Sequence, residues 1–235
     1  MTLAERAVEM LRDAILSGRL PGPHALTERL VVETLGMSRT PVRAALQTLA
    51  NEGLLSYEPH RGYSVRQITA ESVTGAYQVR GVLEGLACHQ LAEAGLSKAT
   101  IETLGACVRL GQELLADGGA SFRHDEWREM NTNFHQTIAR AAGNETLLET
   151  LSHVSRLPLT SFNTIALIGA TPDFKLLEAA QADHEQIFIA LVSGQAERAE
   201  TRMKEHIAVA GALIAKGMAE GEQHRSRPVA GRARR

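Results

Sequence analysis

The stretch Gly36-Met37-Ser38-Arg39-Thr40-Pro41-Val42-Arg43-Ala44-Ala45-Leu46-Gln47-Thr48-Leu49 reads as a tight turn followed by a short helix bearing two arginines. Gly36 suits a helix end that needs positive φ. Ser38 is a good N-cap, because its hydroxyl can accept from a free N–H of the first turn. Pro41 lies within that turn, where no backbone hydrogen bond is lost. Val42, Leu46 and Leu49 are spaced four and three apart and form one apolar face. Arg39, Thr40 and Arg43 fall on or near the other side, toward the N-terminal end. Guanidinium and hydroxyl groups so placed suit phosphates and guanine edges in a major groove.

Upstream, Leu26-Thr27-Glu28-Arg29-Leu30-Val31-Val32-Glu33-Thr34-Leu35 reads as a second short helix capped by Thr27. Two short helices joined around a Gly make a helix-turn-helix. Downstream, Gly53–Glu58 and Gly62–Arg66 are strand-like, and Pro59-His60-Arg61-Gly62 is the turn between them. That hairpin is a wing with Arg61 at its tip. Read without further context, the same residues also fit a small helical domain with scattered arginines.

A length of 235 residues allows two modest domains. Apolar residues make up 44% and aromatics only 4%, so the core is built from Leu, Ala, Ile and Val, which favours helices. The net charge of −2 means that contact with nucleic acid must come from local placement of Arg rather than bulk charge. Cys88 and Cys107 lie in apolar helical contexts and read as reduced, buried thiols of a cytoplasmic protein. No apolar run approaches about 20 residues, and no basic segment precedes a hydrophobic one at the N-terminus. Neither a membrane span nor an export signal is expected.

Thr2 and Glu5 fit a capping box for a first helix that stops near Gly18, before the loop Pro21-Gly22-Pro23. Gln67-Ile68-Thr69 is the candidate linker. Beyond it the pattern changes to long helices, placed near 70–94, 97–117, 121–142, 144–156, 159–169, 172–193 and 196–219. Ser97, Asn144 and Thr171 are plausible caps, and Gly95, Gly118, Gly143, Gly169 and Gly194 plausible stops. The fold class is therefore mainly α: a winged helix-turn-helix over 1–68, an all-helical bundle over 69–219, and a disordered basic tail over 220–235.

Asn131 and His135 are four apart on one expected helix and share a face. His184 and His206 flank Gly194-Gln195 at nearly equal separation. If the two helices fold back there, both imidazoles lie roughly 16 Å along, level with each other. Three His and one amide could then converge inside the bundle, and such a set suits Zn²⁺ or Ni²⁺. Taken singly, a His on a half-apolar helix face is more often a hydrogen-bonded core residue than a ligand.

Residues 8–66 resemble the winged domain of the GntR family of bacterial transcription regulators. The resemblance is carried by Ile15-Leu16-Ser17-Gly18-Arg19-Leu20, Leu26-Thr27-Glu28, Gly36–Arg43, Glu52-Gly53-Leu54 and Arg61-Gly62. The family usually has Glu after the second Arg. Here it is Ala44, at a position expected to face away from bases. Residues 70–217 resemble the FCD ligand-binding domain of the FadR-like branch, through Val79–Glu84, Asn131–His135, Gly143-Asn144, His184–Ile187 and His206. The resemblance implies DNA contacts from Arg29, Ser38, Arg39, Thr40, Arg43, His60, Arg61 and Gly62, made by a homodimer on a palindromic operator. It also implies a divalent metal held by Asn131, His135, His184 and His206, completed by a small carboxylate effector. Asn131 stands where Asp is more usual, which removes one negative charge from the site. Arg80 is the candidate clamp for the effector, its other reading being an ion pair with Glu84 at i+4. A repressor is the expected class, with a sensor of the metal itself as the alternative. A metal-dependent hydrolase is disfavoured, because no general base is evident beside His135 and the recognition helix would serve no purpose.

Overall fold

A computed structural model describes residues 2–16, 19–20, 25–59, 61–66, 69–118, 122–155 and 174–225. The chain divides into two compact units with the boundary between residues 68 and 69.

The first unit holds α1 (Leu3–Leu16), β1 (Ala25–Leu26), α2 (Glu28–Leu35), α3 (Arg39–Asn51), β2 (Leu55–Glu58) and β3 (Gly62–Val65). Thr2 and Glu5 form the expected capping box, each side chain accepting from the other's backbone N–H. Thr27 caps α2 by accepting from the N–H of Leu30 at 3.2 Å. Gly36 ends that helix in the left-handed region, at φ 62°. Ser38 occupies the N-cap position of α3, but its hydroxyl makes no capping bond. Val42, Ala45, Leu46 and Leu49 of α3 are fully buried against α1 and α2. Burial contributes about 1.5–3 kcal/mol for each large apolar side chain, so this face fixes the opposite one outward. The wing is one strand wider than a hairpin: β1 pairs with β3, giving the antiparallel order β1-β3-β2.

The second unit holds α4 (Ala70–Ala94), α5 (Lys98–Leu115), α6 (His124–Ala141), α7 (Glu145–Ser155), α8 (Phe174–Val192) and α9 (Ala196–Arg225). Thr69 belongs to α4 as its N-cap, in a reciprocal box with Ser72. Ser97 and Asn144 cap α5 and α7. The most extensive helix pair is α4 with α9. It is close because glycines lie in the seam: a Cβ at Gly211 would sit 2.5 Å from Tyr77, and one at Gly85 2.9 Å from Lys204. Gly194, at φ 65°, turns α8 back onto α9.

Where a disordered tail was expected from Glu220, α9 instead continues to Arg225. Apart from Gly221, the residues there favour helix, and one Gly is too weak a break. The helix expected over 159–169, the cap at Thr171, the stop at Gly169, residues 67–68 of the linker and residues 226–235 lie outside the described residues. Both cysteines are buried free thiols. Among the described residues, no helix is long and apolar enough to cross a membrane.

Candidate metal centre and DNA-facing helix

In the helical unit, α6 carries His135, α8 carries His184 and α9 carries His206, all buried. Folding about Gly194 brings the rings of His184 and His206 to 4.8 Å between centroids. The ring of His135 lies 5.4 Å from each of them. One ring nitrogen from each of the three falls within 4.8 Å of the other two. Two nitrogens on one Zn²⁺ lie at most about 4 Å apart, so a modest inward movement would complete such a site. Nε2 of His184 is buried with no hydrogen-bond partner among the described residues. A buried ring nitrogen without a partner, in a cluster of three imidazoles, fits a cation better than it fits a packed core. Asn131 is buried one turn before His135 on α6.

The charges around the trio are ordered. Glu84 and Arg80 are each only 2% exposed and form an ion pair at 2.8 Å. The guanidinium also packs over the Tyr77 ring, 4.9 Å from its centroid. The other Glu84 oxygen lies 2.6 Å from Nδ1 of His135. Burial alone would raise the Glu84 carboxyl, but Arg80 and then His135 overcome it and hold it at about 2. Burial lowers His135 against the pull of Glu84. Burial, then the charges of His206 and His135, lower His184 further. These two rings are thus neutral at pH 7, the form that ligates a metal. On the outer side, Nδ1 of His206 lies 3.4 Å from Asp183.

Glu84 corrects one expectation, since a carboxylate does lie beside His135. It is bound to Arg80 and to the ring's Nδ1, so it orients the imidazole rather than standing as a free base. Arg80 makes the i+4 ion pair that was its alternative reading.

In the first unit, the outward face of α3 carries Arg39, Thr40, Arg43, Ala44 and Gln47, all exposed. Nε of Arg43 donates to Glu28 of α2 at 2.7 Å, and this contact raises the guanidinium further above its ordinary value. Arg29 is exposed beside Glu33 at 3.8 Å. Arg61 is 82% exposed at the wing tip, 3.3 Å from Glu58. Gly62 follows it at φ 84°. His60 lies outside the described residues. Ala44 is exposed at the rim of this face, since each residue is rotated by about 100° from the one before. Gln47, one turn beyond Arg43, is the residue missed on this face. Its signal was the four-residue spacing Arg39, Arg43, Gln47.

The profile of bacterial regulatory proteins of the gntR family matches residues 3–65, and the FCD domain profile matches residues 76–209. The chain belongs to the GntR family. A relative in Paenarthrobacter nicotinovorans, a probable D-xylose utilization operon transcriptional repressor, is 32% identical over 88% of this chain and 86% of its own length. The HTH-type transcriptional repressor RspR of Escherichia coli is 28% identical over 77% of this chain and 75% of its own length. The solved structure of Lar, which controls expression of the Listeria monocytogenes agr system, has the same fold. Its TM-score is 0.68 at 19% identity, over 92% of this chain and 97% of Lar. This GntR protein is a DNA-binding transcription regulator, and its histidine trio could hold a metal.

Proposed function

We propose that this regulator is a cytoplasmic, homodimeric repressor of a palindromic operator, released or tightened by a small organic acid. The acid would bind at a divalent metal, Zn²⁺ or Ni²⁺, held by His135, His184 and His206, with Asn131 as fourth ligand. The observation that carries the reading is the unsatisfied Nε2 of His184 within a buried imidazole trio. A bound metal would supply Lewis-acid attraction for the acid's carboxylate. Asn131 is neutral, so a ligand set of three His and one amide leaves the full charge of the ion to attract an anion.

Arg80 is the second anchor in this proposal. An entering carboxylate would have to share its guanidinium with Glu84, which links acid capture to the orientation of His135. The repressor sign follows the names of the relatives.

On the DNA side, Arg39 and Arg43 reach base edges or phosphates, while Ser38, Thr40 and Arg29 fix the backbone register. His60, Arg61 and Gly62 of the wing approach the minor groove. One winged domain spans few base pairs, so a two-fold pair on a palindrome follows. An outward stripe on α4 supports the pairing: Val79, Val82 and Leu86 are 47%, 59% and 38% exposed, at helical spacing. A second copy is the occupant proposed for it.

The acid must bind two arrangements of the dimer unequally, or nothing shifts. Such coupling typically changes affinity about 5- to 150-fold. The experiment is an operator titration with metal-free protein, with Zn²⁺ or Ni²⁺ alone, and with metal plus a panel of carboxylates. An effect only when both are present supports the proposal. A full effect of metal alone would establish the metalloregulator reading instead, and no effect of either removes the sensing role.

A further inference from the structure

The nitrogen of His184 left without a partner is selected by a residue outside the ligand set. Gln181 is buried on α8, one turn before His184. Its Nε2 donates to the backbone carbonyl of Val108 on α5 at 2.8 Å. An amide nitrogen only donates and its oxygen only accepts, so this contact fixes which way the amide faces. Oε1 is thereby presented to Nδ1 of His184 at 3.5 Å. An acceptor there stabilises the ring with its proton on Nδ1, and the lone pair then belongs to Nε2, the buried atom with no partner among the described residues.

The backbone of α5 makes room for the arrangement. A Cβ at Gly111 would sit 2.0 Å from Oε1 of Gln181 and 2.4 Å from its Cδ. A side chain at position 111 would push the amide aside. The other two rings follow the same rule with charged acceptors, since Nδ1 of His135 faces Glu84 and Nδ1 of His206 faces Asp183. All three Nδ1 atoms are thus engaged from outside the trio. Gln181 does this without adding a charge.

We propose that Gln181 is a positioning residue. It holds His184 in the Nδ1–H form, leaving Nε2 as the ion-binding atom, and it makes α5 part of the centre although α5 contributes no ligand. This rests on the metal reading above, and the test separates the two. In metal-free full-length protein labelled with ¹⁵N histidine, long-range ¹H–¹⁵N spectra report which nitrogen of each ring carries the proton. The His184 signals are assigned by their loss in His184→Ala. The wild type is expected to show Nδ1–H at His184, and Gln181→Met to show Nε2–H or a mixture. Gly111→Ala, which displaces the amide without removing it, is expected to shift the tautomer the same way.

In a second arm, Co²⁺ is titrated and followed by its visible absorption. Gln181→Met is expected to weaken binding about 10- to 100-fold. It should add nothing in the His184→Ala background. Nε2–H at His184 in the wild type, or an unchanged tautomer in a folded Gln181→Met or Gly111→Ala protein, overturns the proposal. Absence of Co²⁺ binding to the wild type overturns the metal reading, while the tautomer spectra still decide the role of Gln181.

Discussion

Arg43 is the residue whose removal should separate recognition from folding. Its side chain is 66% exposed and pairs with Glu28 among the described residues. Arg43→Ala is expected to lower specific operator affinity by about 1–3 kcal/mol, roughly 5- to 150-fold, with an unchanged melting curve. Unchanged affinity in a gel shift would refute its assignment. Glu84 should behave in the opposite way. Glu84→Gln leaves the buried Arg80 cation without its counter-charge, and losing one partner of a buried pair costs about 3–5 kcal/mol. A urea midpoint close to that of the wild type would show that the pair is not structural. The trio itself was legible in the sequence, because two His equidistant from a Gly-centred turn must come level when the helices fold back. The partners of the trio were not. Glu84 is 51 residues from His135 and Gln181 is 73 from Val108, and no local period marks such pairs.

At the level of elements, the glycines of the α4–α9 seam are distinguished by what surrounds them. Gly211→Ala would drive a methyl into Tyr77, and overpacking of this kind costs about 1–3 kcal/mol. Gly75 is also mid-helix on α4, yet none of the described residues comes within 4 Å of its added Cβ. Gly75→Ala should therefore stabilise by about 0.5–1 kcal/mol. The two denaturation midpoints, compared side by side, check both signs. Val82→Glu places a charge on the outward stripe of α4 and should yield monomers by sedimentation, with operator affinity falling in parallel. A dimer of unchanged strength would move the interface elsewhere. Helix positions were mostly readable because caps and Gly stops are local chemistry. The end of α9 was misread because a Gly-containing polar segment has no strong stop. β1 was not foreseen, since two residues carry no alternation and exist as a strand only through β3.

For the whole molecule, acidity should act through the imidazoles. Folding holds His184 well below its ordinary value and His135 below its own, in both cases first through burial. Unfolded rings take up protons near pH 6.5, while the folded, metal-free rings do not. Below that pH the unfolded chain binds more protons, so stability is complete above about 6.5 and declines as pH falls through it. Thermal unfolding with chelator at pH 7.5 and 5.5 should show the lower midpoint at 5.5, and equal midpoints would contradict these shifts. One consequence follows from the three imidazoles being carried on three different helices. An ion seated there would clasp α6, α8 and α9 at once, and at a hundredfold excess over its Kd it would add about 2.7 kcal/mol to the folded state. The lifetime of this regulator against proteases would then track the supply of the ion, so that scarcity would empty the operator by removing the protein itself.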